Sequence, residues 1–234
     1  MRSHYDPDMV LAMKALIIQH TETSPPGSSI DWLEARNISY TIFWPAKNLQ
    51  WPLLADFELF IVCGGEMNVD EEQLYPWLRD EKQFLKQAIQ QQKKMVGLCL
   101  GGQLLAEVLG GRVQKHPAWE VGWHEVDISG VKLMVFEYHG YSFSLPPDAQ
   151  QIATNSQCQE QAFNFNSQVL GCQFHPEVSQ EMATYFAQDS ELPTTGYSQS
   201  SSQILSGISL YQPTLQKWYF QELDKLTNPS KSRQ

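Results

Sequence analysis

Apolar and polar positions fall into two regimes along the chain. In the first, short continuous apolar runs alternate with longer stretches of helical spacing. Residues 13–20, MKALIIQH, are an apolar run of the kind expected for a central strand covered on both faces. TETSPPGSS follows as a loop of turn formers, and SIDWLEARN reads as the start of a helix capped by Ser28 or Ser29. ISYTIFW predicts a second strand closed by Pro45, and FELFIVCGG a third that ends in two glycines. From Val69 onward, Leu74, Trp77, Leu78, Phe84, Leu85 and Ile89 recur at helical spacing. Asp70, Glu71 and Glu72 are expected at the start of that helix, where acidic side chains favour the dipole, and Pro76 predicts a turn or short helix ahead of its main body. MVGLCL is a fourth strand, and GGQLLAEVLGG a short helix stopped by Gly110 and Gly111.

The second regime is strand-like. WEVGWHEVDISG, VKLMVFEYHGYSF, QQIATNS, QAFNFNS and QVLGCQFHPEV are separated by Gly, Pro, Asp and Asn turns, and predict extra strands, some antiparallel. A helix, SQEMATYFAQ, comes next, then a polar and mobile segment, SQSSSQ, an amphipathic helix, TLQKWYFQELDKL, and a frayed tail, TNPSKSRQ. The expected class is α/β: an open, mostly parallel sheet flanked by helices, with additional antiparallel strands. The expected organisation is an extension over 1–12, one domain over 13–187, and a C-terminal extension over 188–234.

Chemistry concentrates at the ends of these runs. Gly97-Leu98-Cys99-Leu100-Gly101 places a cysteine where a strand must turn directly into a helix, a strained apex with small neighbours. That position lies at the carboxyl edge of the sheet, where open α/β folds place their sites. The helix behind it points unsatisfied N–H groups at the sulfur, so the Leu100 amide is a candidate oxyanion donor. A buried core thiol flanked by packing glycines would give the same stretch. Gly64 and Gly65 end the third strand at the same edge, where a glycine backbone can approach a substrate closely, although a simple turn reads alike. His175 and Glu177, two apart near a strand end, are expected on one side of that strand, with Pro176 where the ladder stops. The imidazole can take a thiol proton while the carboxylate orients the ring.

Composition narrows the classes. The chain has 234 residues, 42% hydrophobic and 18% charged, with a formal net charge of −10, which argues against sequence-independent nucleic-acid binding. No apolar segment reaches the roughly 18 residues needed to cross a membrane, and Asp6, Pro7 and Asp8 interrupt the N-terminus in a way unlike a signal peptide. Cys63, Cys99, Cys158 and Cys172 show no metal-ligand spacing, which predicts reduced thiols and a cytoplasmic location. Cys63 and Cys172 read as core thiols and Cys158 as incidental. Trp119 and Trp123 read as strand packing, with a pocket wall as the alternative. His4, His20, His116 and His124 show no partner and are given no role.

Taken together, CGGEMNV, GLCLGGQLLA and GCQFHPEV resemble the class I (triad) glutamine amidotransferases, especially stand-alone members similar to the glutaminase domain of GMP synthetase. The resemblance covers most of residues 13–187 and extends to EVGW. It implies a flavodoxin-like fold with Cys99 as nucleophile, His175 as base and Glu177 as its partner. It also implies Gly65 and Leu100 as backbone oxyanion donors, with Gly64, Gln103 and His139 near the substrate. The chain departs from the family pattern at Glu66, where proline is frequent, at Gly102, where alanine or histidine is usual, and at Tyr141, where an aspartate follows His-Gly.

The implied reaction is cleavage of a γ-glutamyl amide through a thioester on Cys99, releasing ammonia or an amine and needing no metal or organic cofactor. Residues 188–234 hold no phosphate-binding loop and are too few for a synthetase domain. Ammonia delivery to a separate synthase subunit, or stand-alone action as a γ-glutamyl hydrolase or peptidase, is therefore expected, with neither nucleic acid nor membrane as partner. A different class, a silent or partner-gated binding protein on the same fold, is the competing expectation.

Overall fold

The computed structural model describes residues 13–228 except 49, 190–192 and 195. The extension expected over 1–12 and the tail after residue 228 lie outside the described residues. The strands are β1 (Lys14–Ile18), β2 (Ser39–Phe43), β3 (Leu59–Val62), β4 (Lys94–Leu98), β5 (Val113–Ile128), β6 (Val131–Phe143), β7 (Gln150–Thr154), β8 (Ala162–Phe165), β9 (Val169–Cys172) and β10 (Tyr197–Ser198). The helices are α1 (Ser29–Ala35), α2 (Trp77–Gln90), α3 (Leu100–Val108), α4 (Gln180–Ala187) and α5 (Ser201–Thr227).

All ten strands join one sheet in the order β10-β5-β7-β8-β9-β4-β3-β1-β2, with β6 paired to β5. From β2 to β9 every pair is parallel. From β9 to β6 the pairs turn antiparallel. The mostly parallel sheet with added antiparallel strands is thus as the apolar pattern predicts.

The central strands are buried on both faces, which explains their unbroken apolar runs. Ala15 and Ile17 of β1 and Ile61 of β3 face a cluster containing Trp32, Met182 and Tyr219. Their neighbours Leu16, Ile18 and Phe60 face another containing Leu78, Leu85 and Leu104. Period-2 alternation therefore sorts one sequence into two cores, with α1, α4 and α5 on one face and α2 and α3 on the other.

Three expectations are corrected. The segment SQSSSQ, read as polar and outside the helix, is part of regular elements: Ser198 ends β10, and Ser200 caps α5 in a reciprocal box with Gln203. α5 then runs through Pro213 and docks on the body, with Ile204, Leu215, Tyr219 and Leu223 buried. Asp70, Glu71 and Glu72 precede α2, which starts at Trp77 as Pro76 foretells. The Glu71 carboxylate accepts the Asn68 N–H at 2.8 Å, and Glu72 pairs with Lys82 at 2.9 Å. Ser28 is the first flanking residue of α1, but its side chain makes no capping bond.

Candidate functional site

Four adjacent parallel strands deliver the site. Because β9, β4, β3 and β1 run the same way, their carboxyl ends share one edge, and each end carries a singled-out residue: His175, Cys99, Gly64–Gly65 and His20. A parallel sheet turns distant sequence positions into neighbours about one strand spacing, ~4.8 Å, apart.

Cys99 sits between β4 and α3 with φ 52° and ψ −108°. A non-glycine residue there stores roughly 1–3 kcal/mol of strain. Its N–H donates to the Cys172 carbonyl at 2.9 Å, which ties the apex to β9. The glycines around it are steric necessities. A Cβ on Gly101 would lie 2.1 Å from the Val62 carbonyl oxygen, and one on Gly102 would lie 2.4 Å from that of Cys172. The start of α3 is thus wedged against the ends of β3 and β9, and the departure at Gly102 is required by this backbone.

His175 and Glu177 do not use strand alternation. β9 ends at Cys172, and both residues lie in the turn that follows. Pro176, with no N–H to offer a ladder, directs the chain into that turn. The His175 N–H donates to the Phe136 carbonyl at 2.8 Å, and its Nδ1 meets Glu177 Oε1 at 2.8 Å. The other ring nitrogen is left for Cys99, which lies beside the ring where both approach Gly64. Burial alone would lower the His175 pKa, yet the charges of Glu177 and Cys99, with the hydrogen bond to Glu177, hold it well above the usual imidazole range.

A cavity of about 670 Å³ opens above these groups, lined among others by Gly65, Glu66, Cys99, Leu100, Gln103 and Trp119. Gln103 is buried and donates to the Tyr141 carbonyl at 3.3 Å and to Gln173 Oε1 at 3.2 Å. Tyr141 therefore serves Gln103 through its main chain. Glu66 is exposed at the rim and accepts from Thr23 Oγ at 2.7 Å. The two tryptophans part ways: Trp119 lines the cavity, whereas Trp123 is buried and donates to the Ile204 carbonyl at 3.0 Å.

His139 lines the cavity but is almost fully buried. Its Nδ1–H donates to the Tyr141 carbonyl at 2.9 Å, and its Nε2 lies 3.0 Å from Glu120 and 3.3 Å from Glu137. Burial opposes its charge, but the close pairing with Glu120 and Glu137 raises its pKa to about 10. Asn155 and Gln161 also donate to Glu120, at 2.9 and 3.0 Å. Among the described residues, Glu120, Glu137 and His139, or His116, Glu120 and Cys158, have ligand atoms close enough to hold a metal ion. In the first set the imidazolium already occupies the place of a cation. In the second, both His116 nitrogens are taken by the carbonyls of Ala118 and Gln157.

Three residues were missed by sequence reasoning. Gln173 is wholly buried and donates to Cys99 Sγ at 3.9 Å, joining the sulfur to Gln103. A glutamine inside an apolar strand end was its only signal. His20 is buried and bonded to Gly64 and Glu81. Cys158 is buried, with its N–H held by Asn155 at 2.6 Å. Burial pushes the thiols of Cys63, Cys158 and Cys172 up, and the first and last are core residues as expected.

Similarity to known proteins places the chain in one family. Residues 27–189 match the family model described as glutamine amidotransferase class-I. A glutamine amidotransferase-like protein of Salmonella typhimurium, YfeJ, is 27% identical, over 76% of this chain and 82% of its own length. One chain of the glutamine-hydrolyzing GMP synthase of Sulfurisphaera tokodaii is 29% identical, over 62% of this chain and 80% of its own length. The crystal structure of a glutamine amidotransferase from Thermotoga maritima superposes with a TM-score of 0.84 at 27% identity, covering 93% of this chain and 99% of that one. No described helix is long and apolar enough to cross a membrane.

Proposed function

Since the chain belongs to the class-I glutamine amidotransferase family, we propose that it hydrolyses the γ-amide of glutamine or of a γ-glutamyl compound with a Cys99–His175–Glu177 triad. The observation that carries this reading is a strained, helix-capping Cys99 opposite a buried imidazole that Glu177 holds at 2.8 Å.

The sulfur of Cys99 attacks the γ-carbonyl carbon. The carbonyl oxygen takes the negative charge and is met by the Gly65 and Leu100 amides, donors that the first turn of a helix and a side-chain-free loop leave available. His175, protonated at rest, gives its proton to the amide nitrogen, and the C–N bond breaks to release ammonia or an amine. A thioester remains. His175 then takes a proton from water, the hydroxide adds to the thioester carbon, and glutamate leaves as the thiolate returns. Gln103 and the His139 segment, which line the cavity, are the wall proposed beside the glutamyl head, with Gly64 buried behind it. No step calls for a metal ion or organic cofactor, and the reduced thiols suit the cytoplasm.

The cavity favours one extension of this reading. A volume of about 670 Å³ walled by Trp119, Tyr138 and Tyr185 is within the usual range for ligands larger than an amino acid. A γ-glutamyl peptide or amide fits it, whereas delivery of ammonia to a separate synthase subunit would need only free glutamine. Incubation with glutamine and with γ-glutamyl dipeptides, following glutamate release and the thioester mass on Cys99, separates these. Wild-type turnover by Cys99→Ala would refute the triad. Turnover of neither substrate by the wild type would favour a silent or partner-gated protein.

A further inference from the structure

His20 stands behind the Gly64–Gly65 loop, on the side away from the cavity. We propose that His20, braced by Glu81, is a positioning residue that aims the Gly65 amide at the developing oxyanion. This rests on the reaction proposed above.

The argument begins with one peptide unit. The Gly64 carbonyl and the Gly65 N–H belong to the same plane and point in opposite directions across a trans bond. The His20 Nδ1–H donates to the Gly64 oxygen at 2.9 Å, since a carbonyl can only accept. With the oxygen pinned toward β1, the N–H is turned the other way. On that side Gly65 lines the cavity together with Cys99 and Leu100.

A pin is needed because two glycines in sequence have no side chains to hold the plane. A Cβ on Gly64 would lie 3.0 Å from His175 Cε1, and one on Gly65 would lie 3.1 Å from His20 Cβ, so both glycines are tightly packed. Glycine, however, also permits the plane to flip. A flip would replace the amide donor with a carbonyl oxygen facing the oxyanion. His20 opposes it, because after a flip its own N–H would face an N–H.

The brace is equally specific. His20 Nε2 meets both Glu81 oxygens, at 3.0 and 3.1 Å, and the ring stacks on Trp77 with centroids 5.5 Å apart and planes 17° from parallel. Both side chains of His20 and Glu81 are fully inaccessible. One nitrogen faces a carbonyl oxygen and the other a carboxylate, so both act as donors, and although burial would lower the His20 pKa, the charge and hydrogen bond of Glu81 raise it. Glu81 and Trp77 come from α2, so this helix buttresses the loop at second hand.

The test compares His20→Leu, His20→Asn and Glu81→Gln with wild type and Cys99→Ala. Each is assayed for kcat and KM on the substrate turned over, and for binding of glutamate and of glutamate γ-semialdehyde. The aldehyde adds the Cys99 sulfur to give a thiohemiacetal whose oxygen occupies the oxyanion position; glutamate does not. His20→Leu is expected to lose about 10–100-fold in kcat and in aldehyde affinity, with KM and glutamate affinity within about threefold of wild type. His20→Asn retains more activity, because its Nδ2–H sits where the imidazole Nδ1–H does. If His20→Leu does not fold with Glu81 left unpaired, the His20→Leu/Glu81→Met double variant takes its place. Full kcat and aldehyde affinity in folded His20→Leu or in the double variant, with Cys99→Ala inactive, would overturn the positioning role alone. Retained turnover by Cys99→Ala, or no turnover and no adduct with wild type, would overturn the parent reaction and this role with it.

Discussion

Ser29 Oγ and the Tyr219 hydroxyl share a hydrogen bond of 2.9 Å although 190 residues separate them in sequence. Ser29 opens α1, and the Ser28 amide beside it donates to the Glu177 carbonyl at 2.9 Å. The C-terminal helix is therefore bonded into the ground on which the proposed triad carboxylate stands. Tyr219→Phe leaves the Ser29 hydroxyl unpaired in a dry site and is expected to cost about 1–2 kcal/mol. Urea unfolding of the two proteins measures it, and an unchanged midpoint would show that the bond contributes nothing net.

Glu177→Gln preserves shape and removes the charge that favours imidazolium. The expected result is a drop in kcat of about 10²–10⁴-fold with little change in KM. Steady-state kinetics on glutamine or a γ-glutamyl dipeptide decides the matter. A loss confined to KM would move Glu177 from orienting His175 to binding substrate.

Gly102→Ala restores a residue usual in the family, yet the new Cβ would sit 2.4 Å from the Cys172 carbonyl oxygen. That oxygen also accepts the Cys99 N–H, so neither group can yield freely. A loss of about 1–3 kcal/mol is expected, the usual cost of overpacking. Thermal unfolding reads it directly, and a neutral effect would mean that β9 shifts more easily than its hydrogen bonds suggest.

His139 sets a pH dependence of stability. Its folded pKa of about 10 lies above the ordinary imidazole value of 6.5. The folded state thus binds a proton more tightly than the unfolded chain. That contribution is complete below about pH 6.5, declines as pH rises and is gone above about 10. Urea midpoints between about pH 6 and 10.5 should slope downward in wild type and flatten in His139→Gln. Equal slopes in both proteins would assign the effect to other groups.

Much of this was legible in the chain. The unbroken runs at Leu16–Ile18 and Phe60–Val62 mark strands buried on both faces, and the glycines around Cys99 mark a tight strand-to-helix turn. What escaped depended on partners brought from afar. His20 looks solitary until α2 supplies Glu81, and Gln173 looks like a stray polar residue until β4 brings Cys99 beside it. The start of α5 was hidden for a local reason. Ser200–Ser202 and Pro213 are weak helix formers, and only docking of Ile204 and Gly207 against Trp123 makes that stretch helical. His175 and Glu177 converge as expected, but through a proline-led turn, because alternation needs a ladder that ends at Cys172.

α5 reaches both halves of the sheet. Ile204 receives the Trp123 indole N–H of β5, while Asp224 takes the Arg36 guanidinium and the Trp32 indole beside β1. One wall of the cavity, carrying Trp119 and Tyr138, belongs to the β5–β6 ribbon; the opposite wall, carrying Gly65 and Cys99, belongs to the parallel strands. A single rod thus spans both walls, and Pro213 lies within it. Both walls of the cleft are tied to one helix that contributes no residue to its lining.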